Sequence, residues 1–491
     1  MKKPLSVAIL WHMHQPEYGS VQTGEIYLPW TRFHAAKDYY DMAALAAEEA
    51  GLRLTINVAP SLMDQLEAYG AGRARETYAD LTLRDAAELD LRERAFLLRS
   101  FFQLPWSSML LPYPRYRQLA ERRGSADEHG EYPEGLKRYS ASEYRDLQMW
   151  FNLAWCGRAL RCRPEVAELF RKGRAFTEDD KRLLVETQFR FAGEVLPLYG
   201  RLAREARIEL SVSPYYHPIL PLLCDNRSAR EAVPDLPLPA VPFTYPEDAR
   251  EQIARAVARY VGEFGRQPAG MWPSEGAVSD AALDLARGAG LHWLASDDGV
   301  LAESLRKSRR TSLFDAARRF SAHRYGEAGP DLFFRDHALS DLIGFTYARW
   351  QPAEAASDLL GRLRRIHEAL PDDGRHYIVP LILDGENAWE HYPDNGTEFL
   401  RSLYRGLATA ADLRPVSFSE FLDLEARRES LPTIAAGSWI SSNLRTWIGH
   451  PEKNRAWELL SVARGFLASV PAPASAEAFR EMLIAEGSDW F

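Results

Sequence analysis

The chain has 491 residues, 46% of them hydrophobic and 26% charged, an ordinary globular mixture with enough apolar mass for a large core. A formal net charge of −9 argues against nucleic acid as the main partner, because phosphate binding requires a basic face. Three cysteines argue against a disulfide framework and point to a reducing, cytoplasmic setting.

The chain opens with MKKPLSVAILWHMHQP. Its short apolar run ends in Trp-His-Met-His without a small-residue cleavage site, so it reads as a strand and not as a signal peptide. No stretch approaches the roughly 20 apolar residues of a membrane helix, and no membrane partner is expected. Strand-like runs then follow at 52–58, 208–213, 268–272, 291–296, 331–336 and 377–384, which with 5–10 makes seven. Most are followed by helical patterns, DAREQIARAVARYVGEF and SDAALDLARGAG among them. Apolar runs alternating with helices predict parallel strands covered on both faces, an α/β fold. Residues 60–207 show helical patterns and no convincing strand, which predicts a mostly helical insertion. Cys156 and Cys162 fall inside it without a second pair for zinc, and read as ordinary thiols. Beyond 397 the chain is again mostly helical. The expected organisation is a barrel over 1–396 that includes the insertion, with a helical region over 397–491 packed on it.

Polar residues collect where these strands end: WHMHQP, PYYHP, PSEG, DDG, RDH and GENAWEHY. In a parallel α/β barrel those ends form one face, the face where active sites are built. Helix caps account for Ser279, Asp280 and Asp297, but not for paired histidines, Trp-Pro-Ser-Glu or Glu-Asn-Ala-Trp. His12 and His14, two apart on a strand, point to one side. They suit metal ligation, with His217, His337 and Asp336 as further ligands, and equally suit hydrogen bonding to a polar substrate with Gln15. Glu275 and Asp336 are the leading carboxylate pair, the equipment of glycoside hydrolysis. Either could instead be a cap or an ion-pair partner. Aromatics at the strand ends (Trp11, Tyr215, Tyr216, Trp272, Trp389, Tyr392) favour a sugar, whose apolar ring faces stack on aromatic rings. Asp394 and Asn395–Gly396 read as a plain turn.

HMHQP (12–16), YYHPILPLL (215–223), GMWPSEG (270–276), FRDHALSDLIGF (334–345) and LDGENAWEHYP (383–393) together resemble the five sequence regions of glycoside hydrolase family 57. PWTRFHAAKDYYDM, WFNLAW and GSWISSNLRTWIGHPEKNRAW are similar to its amylopullulanase and α-amylase-like members. The resemblance implies an incomplete (β/α)7 TIM-like barrel and a retaining mechanism on α-glucans, without a catalytic metal or other cofactor. It implies Glu275 as nucleophile and Asp336 as general acid/base. His12, His14, Gln15, Trp30, His217, Trp272, His337, Asp384, Glu386, Asn387, Trp389, His391 and Tyr392 would then line the substrate site. Amylase, pullulanase, 4-α-glucanotransferase and branching activities share this scaffold and differ mainly in loops. Two other classes stand beside this reading: a metal-dependent deacetylase or zinc α-mannosidase-like enzyme using His12 and His14, and a non-catalytic α-glucan-binding protein.

Overall fold

A computed structural model describes residues 2–309, 315–470 and 475–491. Its centre is a curled, mainly parallel sheet. In chain order the strands are β1 (Leu5–Met13), β2 (Leu54–Val58), β3 (Ile208–Val212), β4 (Gly270–Met271), β5 (Trp293–Asp297), β6 (His323–Tyr325), β7 (Asp331–Arg335), β8 (Ile378–Asp384), β9 (Leu413–Pro415) and β10 (Glu429–Leu431). Neighbours run β8-β1-β2-β3-β4-β5-β7, all parallel, and these seven are the strands expected from the apolar runs. β6 pairs antiparallel with β7, β10 adds to β6, and β9 pairs with β1.

Burial explains the continuous apolar runs. Every residue of β1, β2, β5 and β7 is buried, as a sheet covered by helices on one side and closed on itself on the other requires. β7 and β8 are not ladder partners, yet the Asp336 amide donates to the Pro380 carbonyl at 2.9 Å and the Arg335 side chain to the Ile382 carbonyl at 2.8 Å. The open edge of the barrel is stitched by these two contacts.

Register places the chemistry. His12 lies opposite Asp384 across β1–β8 and opposite Asn57 across β1–β2, so one layer of the barrel mouth carries an imidazole, a carboxylate and an amide. The helical segment after β2 has its own apolar cluster, built from Phe101, Leu147, Phe151, Leu153, Leu184 and neighbours. A two-residue strand, Arg75–Glu76, pairs inside it with Glu25–Ile26. The region after residue 397 contributes, besides its helices, two short strands: β9 and β10, three residues each, come from it and join the central sheet. Such short edge strands carry too little periodicity to read from sequence. Among the described residues no helix is long and apolar enough to cross a membrane.

Candidate active site

A cavity of about 390 Å³ opens at the carboxyl ends of the strands. β1 delivers His12 and His14 to it, the turn after β3 delivers His217, and the turn after β4 delivers Glu275. Asp384, Glu386 and Asn387 arrive from the end of β8, and Gln15 and Trp30 complete the expected residues found there.

Two of these residues sit in strained backbone. Glu275 has φ 58°, ψ 22°, and His217 has φ 59°, left-handed values that a non-glycine residue adopts at a cost. Glu275 is held there by Trp439 twice. The Trp439 amide donates to the Glu275 carbonyl at 3.0 Å, and the indole Nε1 donates to Oε2 at 2.7 Å. Burial pushes the Glu275 pKa up to about 7, with Asp384 the largest charge adding to the rise and the Trp439 hydrogen bond opposing it. Asp384 is raised as well, first by burial, against the pull of Asn387, His14 and Arg335. Asn387 Nδ2 donates to Asp384 Oδ2 at 3.0 Å. Glu386 is buried and pushed well above the carboxylate range, first by burial and then by Asp384. These carboxyl groups share one cavity, and the charge of Asp384 adds to the rise that burial causes at both Glu275 and Glu386.

The imidazoles form a relay. His12 Nδ1 lies 2.7 Å from Asn57 Oδ1, and Asn57 in turn donates to Ser211. A protonated Nδ1 leaves His12 Nε2 as acceptor for His217 Nε2 at 3.0 Å, while His217 Nδ1 meets Ser488 Oγ at 2.8 Å. Burial, reinforced by His14, pushes His12 down to about 3 and His217 well below its ordinary value, so both are neutral. Nitrogen atoms of His12, His14 and His217 do lie within 4.8 Å of one another, as a metal site would need. The ring planes do not suit one. His14 and His217 stack with centroids 3.8 Å apart and planes 19° apart, so their in-plane lone pairs run side by side and do not converge on a shared cation.

Six expected residues lie elsewhere. Asp336, the expected acid/base, does not line the cavity: it caps the helix His337–Asp341, with Oδ1 accepting from Leu339 N at 2.9 Å and Oδ2 paired to Arg319 at 3.0 Å. The commonplace role of an Asp after a strand, a helix cap, is the one it fills. His337 is half exposed between Asp297 and Asp341. Trp272 is fully buried, with its ring edge-on to Trp439 at 5.3 Å. Trp389 is buried against Trp11, Tyr392 and Phe399 and donates to the Gly385 carbonyl at 3.0 Å. Tyr392 is buried too and donates to the Ile343 carbonyl at 2.7 Å. These three aromatics are core, not platforms, because each is buried by its neighbours. His391 points to solvent.

The cavity also holds residues not anticipated: Tyr18, His34, Gln103, Trp155, Glu390 and Asp489. His34 and Trp155 sit in PWTRFHAAKDYYDM and WFNLAW, segments already notable in sequence. Asp489 carried no sequence signal. It reaches His14 Nε2 at 3.0 Å from 475 positions away.

The family description of glycosyl hydrolase family 57 matches residues 8–435. No curated protein matches the chain. Among solved structures, the branching enzyme of Thermococcus kodakaraensis, determined with glucose, is 15% identical with a TM-score of 0.61, over 99% of this chain and 84% of that one. The Pyrococcus horikoshii branching enzyme is 17% identical at 0.60, over 99% and 84%. The α-amylase AmyC of Thermotoga maritima is 14% identical at 0.56, over 99% and 88%. At such identities the likeness is one of fold, a parallel half-barrel clothed in helices, and the family match across most of the chain adds the lineage: this protein belongs to glycosyl hydrolase family 57.

Proposed function

We propose that the protein cleaves α-glucans with retention of anomeric configuration, Glu275 attacking the anomeric carbon and Asp384 transferring the proton. One observation carries this reading: Glu275 and Asp384 line the same cavity and Asp384 is the largest charge acting on Glu275, whereas Asp336 is consumed as a helix cap. The Trp439 donor favours the ionised Glu275 that attack requires, and a protonated Asp384 can release the leaving sugar. Once the glycosyl-enzyme forms, the Glu275 charge is gone. Asp384 then loses its proton more readily and acts as base toward the incoming hydroxyl. Glu386, His12, His14 and Asn387 supply hydroxyl partners, and neutral His12 and His217 place lone pairs and N–H groups without adding charge. Three free cysteines accord with a cytoplasmic setting.

Azide rescue tests the assignment. Glu275→Ala with azide should yield a glycosyl azide of inverted configuration, and Asp384→Ala one of retained configuration. The opposite pattern would exchange the roles, and rescue of Asp336→Ala with an azide product would restore Asp336.

Transfer to a second sugar is the alternative outcome of the same intermediate. It is favoured by the cavity's extension between Trp30, His34, Gln103, Trp155 and Glu390, a wall able to hold an acceptor. Products from maltooligosaccharides, pullulan and amylose separate the outcomes: shortening indicates amylase, debranching amylopullulanase, and disproportionation ladders or new branches transfer.

A further inference from the structure

The indole that holds Glu275 has a support of its own. Val278 and Gly437 exchange backbone hydrogen bonds at 2.9 and 3.1 Å, and with the Trp439 amide on the Glu275 carbonyl they fix the main chain here. They do not fix the half-buried Trp439 side chain, whose Nε1 must point at Glu275 Oε2 for a bond that weakens steeply off line. Two groups flank the ring. Trp272 meets it edge-on at 5.3 Å, and the Arg335 guanidinium lies over it with Cζ 5.3 Å from the ring centre.

Arg335 is anchored by three elements. Its Nε donates to the Ile382 carbonyl of β8 at 2.8 Å, one terminal nitrogen to Asp297 at the end of β5 at 3.1 Å, and the other to Asp341 of the helix His337–Asp341 at 2.5 Å. Asp297 is itself fixed, because its Oδ1 caps the next helix at Gly299 N, 3.1 Å away. Arg335 is 4% exposed and does not line the cavity. A guanidinium tied on three sides cannot follow the indole, whereas the indole's electron-rich face is drawn to the cation.

We propose that Arg335 is a positioning residue: anchored by Asp297, Asp341 and the Ile382 carbonyl, it holds the Trp439 indole in the orientation from which Nε1 donates to Glu275. The orientation of the ring stands on these contacts alone; its effect on turnover rests on the reading of Glu275 as nucleophile given above. The indole donor favours ionised Glu275, so an indole that swings away leaves this carboxyl harder to ionise. The other charges facing Glu275 are Asp384 at the end of β8, His14 just past β1 and Asp489 near the end of the chain. Arg335 also acts directly on Asp384, an influence that does not pass through the indole.

A double-substitution cycle on the full chain separates the two routes. In kcat/KM profiles on maltooligosaccharides, Arg335→Met should move the acid limb upward by roughly one pH unit, the effect of losing a hydrogen bond to a charged acceptor. Trp439→Phe, which keeps a ring but no donor, should do the same, and the double variant should lie where Trp439→Phe lies. An unmoved limb, or shifts that add in the double variant, overturns the proposal. The second readout needs no substrate: the indole ¹⁵N–¹H resonance of Trp439, identified as the one missing from Trp439→Phe. Arg335→Met should shift it upfield, as an N–H released from a carboxylate does, and an unmoved resonance overturns the positioning role. Arg335→Lys gives the same readout should the Met variant not fold, because an ammonium cannot span Asp297, Asp341 and Ile382 as the planar fork does. A wild type that turns over no α-glucan removes the catalytic reading, and the indole resonance then decides the positioning role alone.

Discussion

Glu275 combines a left-handed backbone, a buried carboxyl and a single indole donor, and each has a measurable consequence. Attack requires the ionised form, so kcat/KM should fall as pH drops below about 7, the value to which burial and Asp384 push this group. A profile flat to pH 5 would contradict that environment. The same shift acts on stability. The folded-state pKa of about 7 lies above the unfolded carboxylate value, so the folded state holds the proton more tightly. Stability from this group is present below the unfolded value and is lost as pH rises through 7. Glu275→Gln should then be more resistant to urea than the wild type at pH 8, by on the order of 1–3 kcal/mol, and equal to it near pH 4. Activity should drop on the order of 10⁴-fold in the same variant. At the proton-transfer position, Asp384→Asn should cost about 10²–10⁴-fold in kcat, while Asp336→Asn, which keeps a good capping side chain, should stay within about tenfold.

At the scale of elements, period-2 alternation brought His12 and His14 to one side of β1, as their spacing indicates. The seven apolar runs became the seven parallel strands because a fully buried strand must be apolar throughout. β6, β9 and β10 escaped notice, being three residues long and set by partners that sequence does not show. β4 is only two residues, and it tolerates no side chain at its first position. A Cβ on Gly270 would sit 1.9 Å from the Trp293 indole of the neighbouring strand. Gly270→Ala should therefore lower stability by about 1–3 kcal/mol and, by displacing the turn that carries Glu275, lower turnover too. Denaturant melts and kcat on the same preparation check both.

Across the whole molecule, one buried cluster joins the barrel's first helical turn to the insertion. Arg32, fully buried, pairs with Glu76 at 2.7 Å and donates to Asn152 at 2.6 Å and Gln188 at 2.5 Å. Asn152 and Gln188 come from the helices Ala141–Ala154 and Glu178–Ala192, so a single guanidinium ties three segments behind the wall that bears Trp30 and Trp155. Glu76→Ala would strand that charge and should cost about 3–5 kcal/mol in a thermal or denaturant melt, whereas replacing Arg32 and Glu76 together by Met and Leu should recover most of the loss. By itself the sequence determined the mainly parallel sheet, its seven parallel strands and the face on which polar groups gather, because periodicity and burial are written locally along the chain. Tertiary structure alone decided which carboxylates share a cavity with Glu275, which tryptophans are core, and that Asp489 reaches His14 from the far end of the numbering. Those outcomes depend on how the barrel closes and on which donors each side chain then finds, and no window of neighbouring residues contains that information.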